Sequence, residues 1–283
     1  MPDGDGAVAT TREVPTRQRL ERRLDALVDD NRFTIAVVFP TVGAIMLLAS
    51  AEGLLPEPFS FNPYLLLLGV AVMRLPLIAG VAPLLTRKAG IGLLGLCAYT
   101  YGIEFVGVLT GYPYGNFEYG VDLGPMLADV IPAALPLFFL PLVLNAYLLC
   151  LLLLGESARN AAFRVPVVIG TVVGMDLVLD PAAVAIGFWS YDAGGLYYGI
   201  PWLNYVGWVL SATVAVLIFD FAFDQGGLLA RVEACPFMLD DLVSFVILWG
   251  FVNTFYGNWV PAVLAVGYGY ALWQVDRFDF PER

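Results

Sequence analysis

After residue 32 the chain is dominated by long apolar stretches in which polar and apolar positions do not alternate. Eight can be delimited, near 33–51, 63–85, 90–110, 126–154, 165–188, 202–223, 241–255 and 259–274. Each is about long enough to cross a bilayer once as a helix. An outer-membrane barrel would alternate lipid-facing and lumen-facing residues every second position, so unbroken runs exclude it. The last two stretches are short and separated only by Tyr256-Gly257-Asn258, which leaves seven spans as the alternative count. The pattern predicts an all-α, polytopic membrane helix bundle.

Residues 1–32 are polar, with a basic stretch from Arg17 to Arg23 and with Leu20, Leu24 and Leu27 at helical spacing. That pattern predicts a short amphipathic helix lying on the membrane face. A cleavable signal is not expected, because no small-residue cleavage site follows the basic segment. The chain thus divides into an N-terminal segment (1–32), a membrane domain (33–274) and a short tail (275–283).

Basic residues orient this bundle. With the N-terminus in the cytoplasm, the inner segments carry Arg12, Arg17, Arg19, Arg22, Arg23, Arg32, Arg87, Lys88, Arg159, Arg164, Arg231, Arg277 and Arg283. The outer loops carry none, and only Arg74 falls within a span. So one-sided a partition is what the positive-inside rule predicts for eight spans with both termini inside, a multi-pass protein of the cell membrane.

Composition sharpens this picture. Charged residues make up 14% of the chain against 59% apolar ones, where a soluble domain carries roughly a quarter charged. The formal charge is −11 with a single lysine, Lys88. An acidic, lysine-poor surface suits concentrated salt, where screening removes the cost of self-repulsion, so a halophilic source is expected and nucleic acid is not a partner. Histidine is absent and Cys97, Cys150 and Cys235 are scattered, leaving no ligand set for a tightly bound zinc, haem or iron centre.

The outer loops share a texture: 111–119, 189–201 and 255–261 are each rich in aromatics and contain Tyr-Gly. Single aromatics settle at the interface anyway; three such loops on one face predict a binding mouth. Beneath them lie ionisable residues inside apolar runs, each costing roughly 2.5 kcal/mol or more on insertion scales. Arg74, Glu104, Asp176 and Asp180 stand out. Asp176 and Asp180 share one helical face, one turn apart, and Glu104 falls at a depth similar to Asp180. Carboxyls sharing a dry pocket cannot all ionise, which keeps an acid available as a proton donor. Arg74 is read either as a substrate contact or as the ion-pair partner of one of these acids; one arginine does not balance three. Pro132, Pro136 and Pro141 in the fourth run, and Pro181 after Asp180, point to bent helices lining a cavity.

Two segments resemble a known family when taken together. One runs from Glu104 through Gly111-Tyr-Pro-Tyr-Gly-Asn-Phe-Glu-Tyr119 to Leu123-Gly-Pro125. The other is Asp176-Leu-Val-Leu-Asp-Pro181, continuing through Gly187-Phe-Trp-Ser-Tyr191 and Gly195-Leu-Tyr-Tyr-Gly-Ile-Pro201 to Asn204-Tyr-Val-Gly-Trp208. This order resembles the CruF-type membrane carotenoid hydratases, which include the bisanhydrobacterioruberin hydratases of halophilic archaea. The resemblance implies cofactor-independent addition of water across terminal double bonds of a long carotenoid, here two hydrations of a bisanhydro precursor to a tetra-hydroxylated pigment. It implies the lipid bilayer and the carotenoid as partners, with other membrane enzymes of the same pathway as candidates. Protonating an unactivated trisubstituted alkene needs a desolvated acid, a wall that tolerates a tertiary cation, and a positioned water. Asp180 or Asp176 is expected as the donor, with Glu104 as its partner or as the base. Tyr101, Trp189, Tyr197 and Tyr198 are expected to line the cation, Glu118 and Asn204 to hold water or the new hydroxyl, and Tyr114 and Arg74 to contact substrate. A proton-coupled transporter and a non-catalytic carotenoid-binding protein are the rival classes.

Overall fold

The computed structural model describes residues 16–278 and Phe280; Arg12 and Arg283 of the inner charge set lie outside the described residues. The architecture is a helix bundle. A peripheral helix α1 (Thr16–Asp30) precedes α2 (Phe39–Ala51), which is entered through a π-helical turn at Thr34–Val38. Then come α3 (Pro63–Val81), α4 (Arg87–Thr110), α5 (Leu135–Leu154), α6 (Ala161–Ala185) and α7 (Trp202–Ala222). The short α8 (Gln225–Ala234) leads to α9 (Asp240–Phe255) and α10 (Trp259–Gln274).

Among the described residues, seven helices, counted with their flanking turns, are long and apolar enough to cross a membrane. The last apolar region is two helices: α9, and α10 turning back on it across Tyr256–Asn258. At 16 residues α10 falls below the length of the other seven, about 24 Å of helix. Two helices form the centre. Two thirds of the apolar window is buried in α5 and in Pro236–Phe255, against 22% in α4.

Local sequence explains most helix ends. Asn62 accepts from the backbone N–H groups of Tyr64 and Leu65 and precedes Pro63 at the first helical position, a favoured N-terminal arrangement. Gly111 ends α4 at φ +71°, a left-handed conformation that glycine adopts without steric cost. The fourth span starts later than the apolar run predicts. Residues 126–134 form a small turn, pairing β2 (Met126–Leu127) with β3 (Ile131–Pro132), rather than helix. Pro132 lies outside the helix and Pro136 in its first turn, where its missing N–H costs nothing; only Pro141 interrupts α5.

Two of the interior prolines free carbonyls that side chains then satisfy, as a dry bundle favours. Pro141 cannot donate to Leu137, whose carbonyl instead accepts from Arg74 Nε at 3.1 Å. Pro181 leaves Leu177 in the same position, and Tyr197 Oη donates to that carbonyl at 3.0 Å.

Both described ends of the chain gather at one end of the bundle. Arg17 on α1 donates to the Ala82 and Leu85 carbonyls, Arg231 on α8 pairs with Asp25, and Arg277 donates to Val232. This is the end to which the positive-inside reading assigns the basic segments. In α1 the side chain of Leu24 packs on the core while Leu20 and Leu27 remain exposed, so the helix buries a narrow stripe.

Candidate active site

At the opposite end the two motif-bearing loops are stitched together. β1 (Phe117–Tyr119) pairs antiparallel with β4 (Trp189–Tyr191), in the register Phe117↔Tyr191, Glu118↔Ser190 and Tyr119↔Trp189. Side chains alternate across a strand, so all four aromatics of these pairs face one way and line a cavity below. Glu118 and Ser190 point the other way and are exposed. The expectation that Glu118 holds water or substrate is therefore corrected: its strand phase puts it on the wrong face. The lid is pinned from beneath by Tyr114, whose hydroxyl lies 2.6 Å from Ser211 Oγ. Its ring crosses Gly207 so closely that a Cβ there would come within 2.3 Å of it.

Three carboxyls meet under this lid. Asp176 and Asp180 sit on one face of α6, 0% and 2% exposed. A single amide, Asn204 Nδ2 on α7, donates to Oδ2 of both, at 3.1 Å and 2.6 Å. Tyr191 Oη adds a bond to Asp180 at 3.1 Å, and Tyr119 donates to Glu104 on α4. Both phenols lie in the loops, outside the spans. Burial, followed by the charge of Asp180 and Asp176, pushes Tyr191 well above the ordinary tyrosine range. Burial and then Glu104 do the same for Tyr119, so both remain O–H donors. Among the described residues no ion pair includes Glu104, Asp176 or Asp180. Glu104 and Asp180 line the cavity, whereas Asp176 lies behind Asp180 with Oδ1 lacking any hydrogen-bond partner.

The cavity, about 260 Å³, runs inward between α2, α3, α5 and α9 along walls that include Leu66, Met73, Phe138, Leu142 and Leu248. Phe59 and Leu65 line it and are also exposed at 53% and 39%, so it reaches the outer surface beside the start of α3. Trp208, stacked on Phe139 with ring centroids 5.6 Å apart, and Trp189 line the same cavity as Glu104 and Asp180. Arg74 lines the deeper part, but it pairs with Asp241 rather than with any of the three acids. The expected pairing of Arg74 with one of these acids is therefore corrected: Arg74 is ion-paired, but to Asp241.

Of the other expected contacts, Trp189, Tyr114 and Asn204 line the cavity. Tyr101, Tyr197 and Tyr198 are not among its lining residues. Tyr101 Oη donates to the Ala133 carbonyl at 2.6 Å and so anchors the outer loop. Tyr197 fills the gap left by Pro181, and Tyr198 Oη accepts from the Val260 backbone at 3.3 Å. The cation-lining role expected of these three is corrected accordingly. Sequence reading passed over Tyr119 and Tyr191 as donors, although the F-E-Y and W-S-Y alternation marks which residues share a face. It also passed over Asn145 and Asp241, which are 1% and 0% exposed.

The profile of a family described as carotenoid biosynthesis protein matches residues 61–272. The chain is 61% identical over 265 residues to the bisanhydrobacterioruberin hydratase of Haloarcula japonica, a match covering 94% of this chain and 90% of that protein. No solved structure matches.

Proposed function

The chain belongs to the carotenoid biosynthesis protein family, and from that membership we propose that it is a carotenoid hydratase acting on bisanhydrobacterioruberin. The observation that carries the chemistry is a pair of carboxyls without a cation, Glu104 and Asp180, on the wall of an apolar cavity under a strand-paired aromatic lid. A setting with no cation paired to it suits a carboxylic acid that must first give up its proton to a hydrocarbon.

In this reading the protonated carboxyl of Asp180 adds its proton to the less substituted alkene carbon, and the double bond's electron pair forms the new C–H bond. The tertiary cation left behind faces Trp189 and Trp208, whose ring faces attract it by about 2 kcal/mol in a desolvated site. Water forms the C–O bond and passes its surplus proton to Glu104, which enters the cycle as the carboxylate, and return of that proton to the Asp180 carboxylate resets the site. The sum is alkene plus water giving a tertiary alcohol, with no redox change. Asn204 and Tyr191 hold Asp180 in place, Tyr119 holds Glu104, and Asp176 supports Asp180 from behind through their shared amide. The opening beside Phe59 and Leu65 lets the rest of a long polyene lie in the lipid. The same reading places the protein in the cell membrane, receiving its substrate from other enzymes of the pathway.

The test is direct. Membranes containing the protein are given bisanhydrobacterioruberin in ¹⁸O-labelled water, with nothing else added, and pigments are followed by chromatography and mass spectrometry. Products heavier by one and then two labelled waters are expected. Unchanged polyene in membranes shown to hold folded protein sinks the proposal.

A further inference from the structure

Three side chains of the outer cluster each have one end tied down and one end left open. Asp180 Oδ2 accepts from Asn204 Nδ2 at 2.6 Å and from Tyr191 Oη at 3.1 Å. An oxygen that takes two donors is the acceptor of its carboxyl, so the proton of the acid belongs on Oδ1. Glu104 Oε1 accepts from Tyr119, which leaves Oε2. Asn204 gives its nitrogen to two carboxyl oxygens, where a flipped amide would set its own oxygen against both. Its Oδ1 therefore points away from them. Among the described residues nothing donates to Asp180 Oδ1, Glu104 Oε2 or Asn204 Oδ1. None of the three is enclosed as Asp176 Oδ1 is, and all three side chains line the cavity.

These open ends share one wall. α7 packs against both α4 and α6, so Glu104, Asn204 and Asp180 reach the cavity from adjoining helices. The facing walls are apolar at Leu47, Leu66, Met73 and Leu248, and their polar groups are engaged. Ser50 Oγ donates to the Met46 carbonyl and accepts from the Phe61 N–H, and Asn62 Oδ1 accepts from Tyr64 and Leu65. Arg74 can only donate, and Asn145 spends its nitrogen on Asp241 with its Oδ1 enclosed. A water that attacks a cation must aim a lone pair at carbon and give its hydrogens to acceptors.

We infer that Asn204 Oδ1 and Glu104 Oε2 hold the attacking water on the same face of the alkene that receives the proton of Asp180 Oδ1, so that water adds syn. The inference rests on the hydratase reading and adds to it an atom for each task and a stereochemical course. Asn204 works at both ends: its nitrogen holds the acid and its oxygen holds the water. The hydrogen on Glu104 leaves as the surplus proton, and the one on Asn204 stays with the new hydroxyl.

The experiment runs in deuterium oxide on bisanhydrobacterioruberin carrying ¹³C in the methyl group trans to the chain at each reacting end. Addition creates two adjacent stereocentres, one bearing deuterium and one bearing the hydroxyl with a labelled and an unlabelled methyl. Their relative configuration, read by NMR, reports the faces used, and wild type is expected to give the syn product. A second readout is the ratio of deuterated but unhydrated polyene to hydrated product. It counts the fate of cations already formed, so differences in folded fraction cancel. Asn204→Leu removes the water contact and should raise that ratio about tenfold. Tyr191→Phe, which loosens Asp180 alone, should slow hydration and leave the ratio unchanged. An anti or scrambled wild-type product, or an unchanged ratio in Asn204→Leu, overturns the inference while the hydratase reading stands. The configuration needs wild type only, so it decides the matter even where Asn204→Leu fails to fold. If folded wild type hydrates nothing, the hydratase reading fails, and this inference fails with it.

Discussion

Two regions of the bundle hold acidic residues in the same solvent-poor interior and treat them in opposite ways. At the inner end and midway down, each of three inward aspartates is given an arginine: buried Asp240 takes Arg32 at 2.9 Å, buried Asp241 takes Arg74, and half-buried Asp220 takes Arg164. Under the outer lid, Glu104, Asp176 and Asp180 receive neutral donors: two phenols and one amide. The first arrangement fixes charge and ties helices together, and its partners are so committed that neither has a proton to lend. The second orients carboxyls without compensating them, at the cost that any ionised state there lacks a counter-charge. Side-chain type is therefore a poor guide to role in this protein, and the partner is a good one. The contrast makes a general forecast: neutralising an acid should hurt catalysis in the outer cluster and stability in the inner one.

The largest effect is expected where the contrast is sharpest. Asp180→Asn keeps an acceptor for Tyr191 and Asn204 but has no proton to donate. Hydration should fall about 10²–10⁴-fold, the usual contribution of general acid catalysis, with thermal stability in detergent within about 1 kcal/mol of wild type. Retained hydration would move the acid to Glu104, and a large stability loss would erase the distinction between the two regions.

Asp241→Leu tests the other half. Removing one partner leaves a partly buried Arg74 charged without its counter-ion, a loss of up to about 3–5 kcal/mol readable as a lowered denaturation midpoint. Adding Arg74→Met should return most of that stability, since an apolar pair of similar volume is often neutral or better. Strictly additive losses in the double variant would mean that the two residues do not act as a pair.

The bundle was legible in the sequence because lipid imposes a coarse rule: helices must be apolar on nearly every face, and basic residues must collect on one side. The outer acids were legible for the same reason, since Glu104, Asp176 and Asp180 interrupt apolar runs. Asp241 escaped because it stands beside Asp240 at a run's edge, where the expected span began, and looked like a loop acid. Asn145 escaped because a neutral amide barely disturbs hydropathy. Tyr101, Tyr197 and Tyr198 misled because an aromatic's role depends on which backbone carbonyl or amide lies near its hydroxyl. For Tyr197, in the loop before α7, that carbonyl is freed by Pro181 on α6, a tertiary fact. The lid could have been read further than it was, because alternation alone separates Tyr119 and Tyr191 from Glu118.

The smallest effects test that alternation. Tyr191→Phe deletes one neutral hydrogen bond to Asp180, worth about 0.5–1.5 kcal/mol, so hydration should fall roughly three- to tenfold while polyene binding holds. Glu118→Gln, one strand position from Tyr119, should leave hydration within about twofold of wild type, because its side chain is exposed on the far face of the two-stranded lid. It is the most informative small effect available, since Glu118 sits inside the same motif as Tyr119 and carries the chemistry one would otherwise suspect. The assay is the same labelled-water conversion, run on matched amounts of folded protein. A loss for Glu118→Gln as large as for Tyr191→Phe would mean that the strand pair turns over in the working enzyme. The lid would then be a moving part, and the cavity face would have to be reassigned from Phe117, Tyr119, Trp189 and Tyr191 to the opposite set.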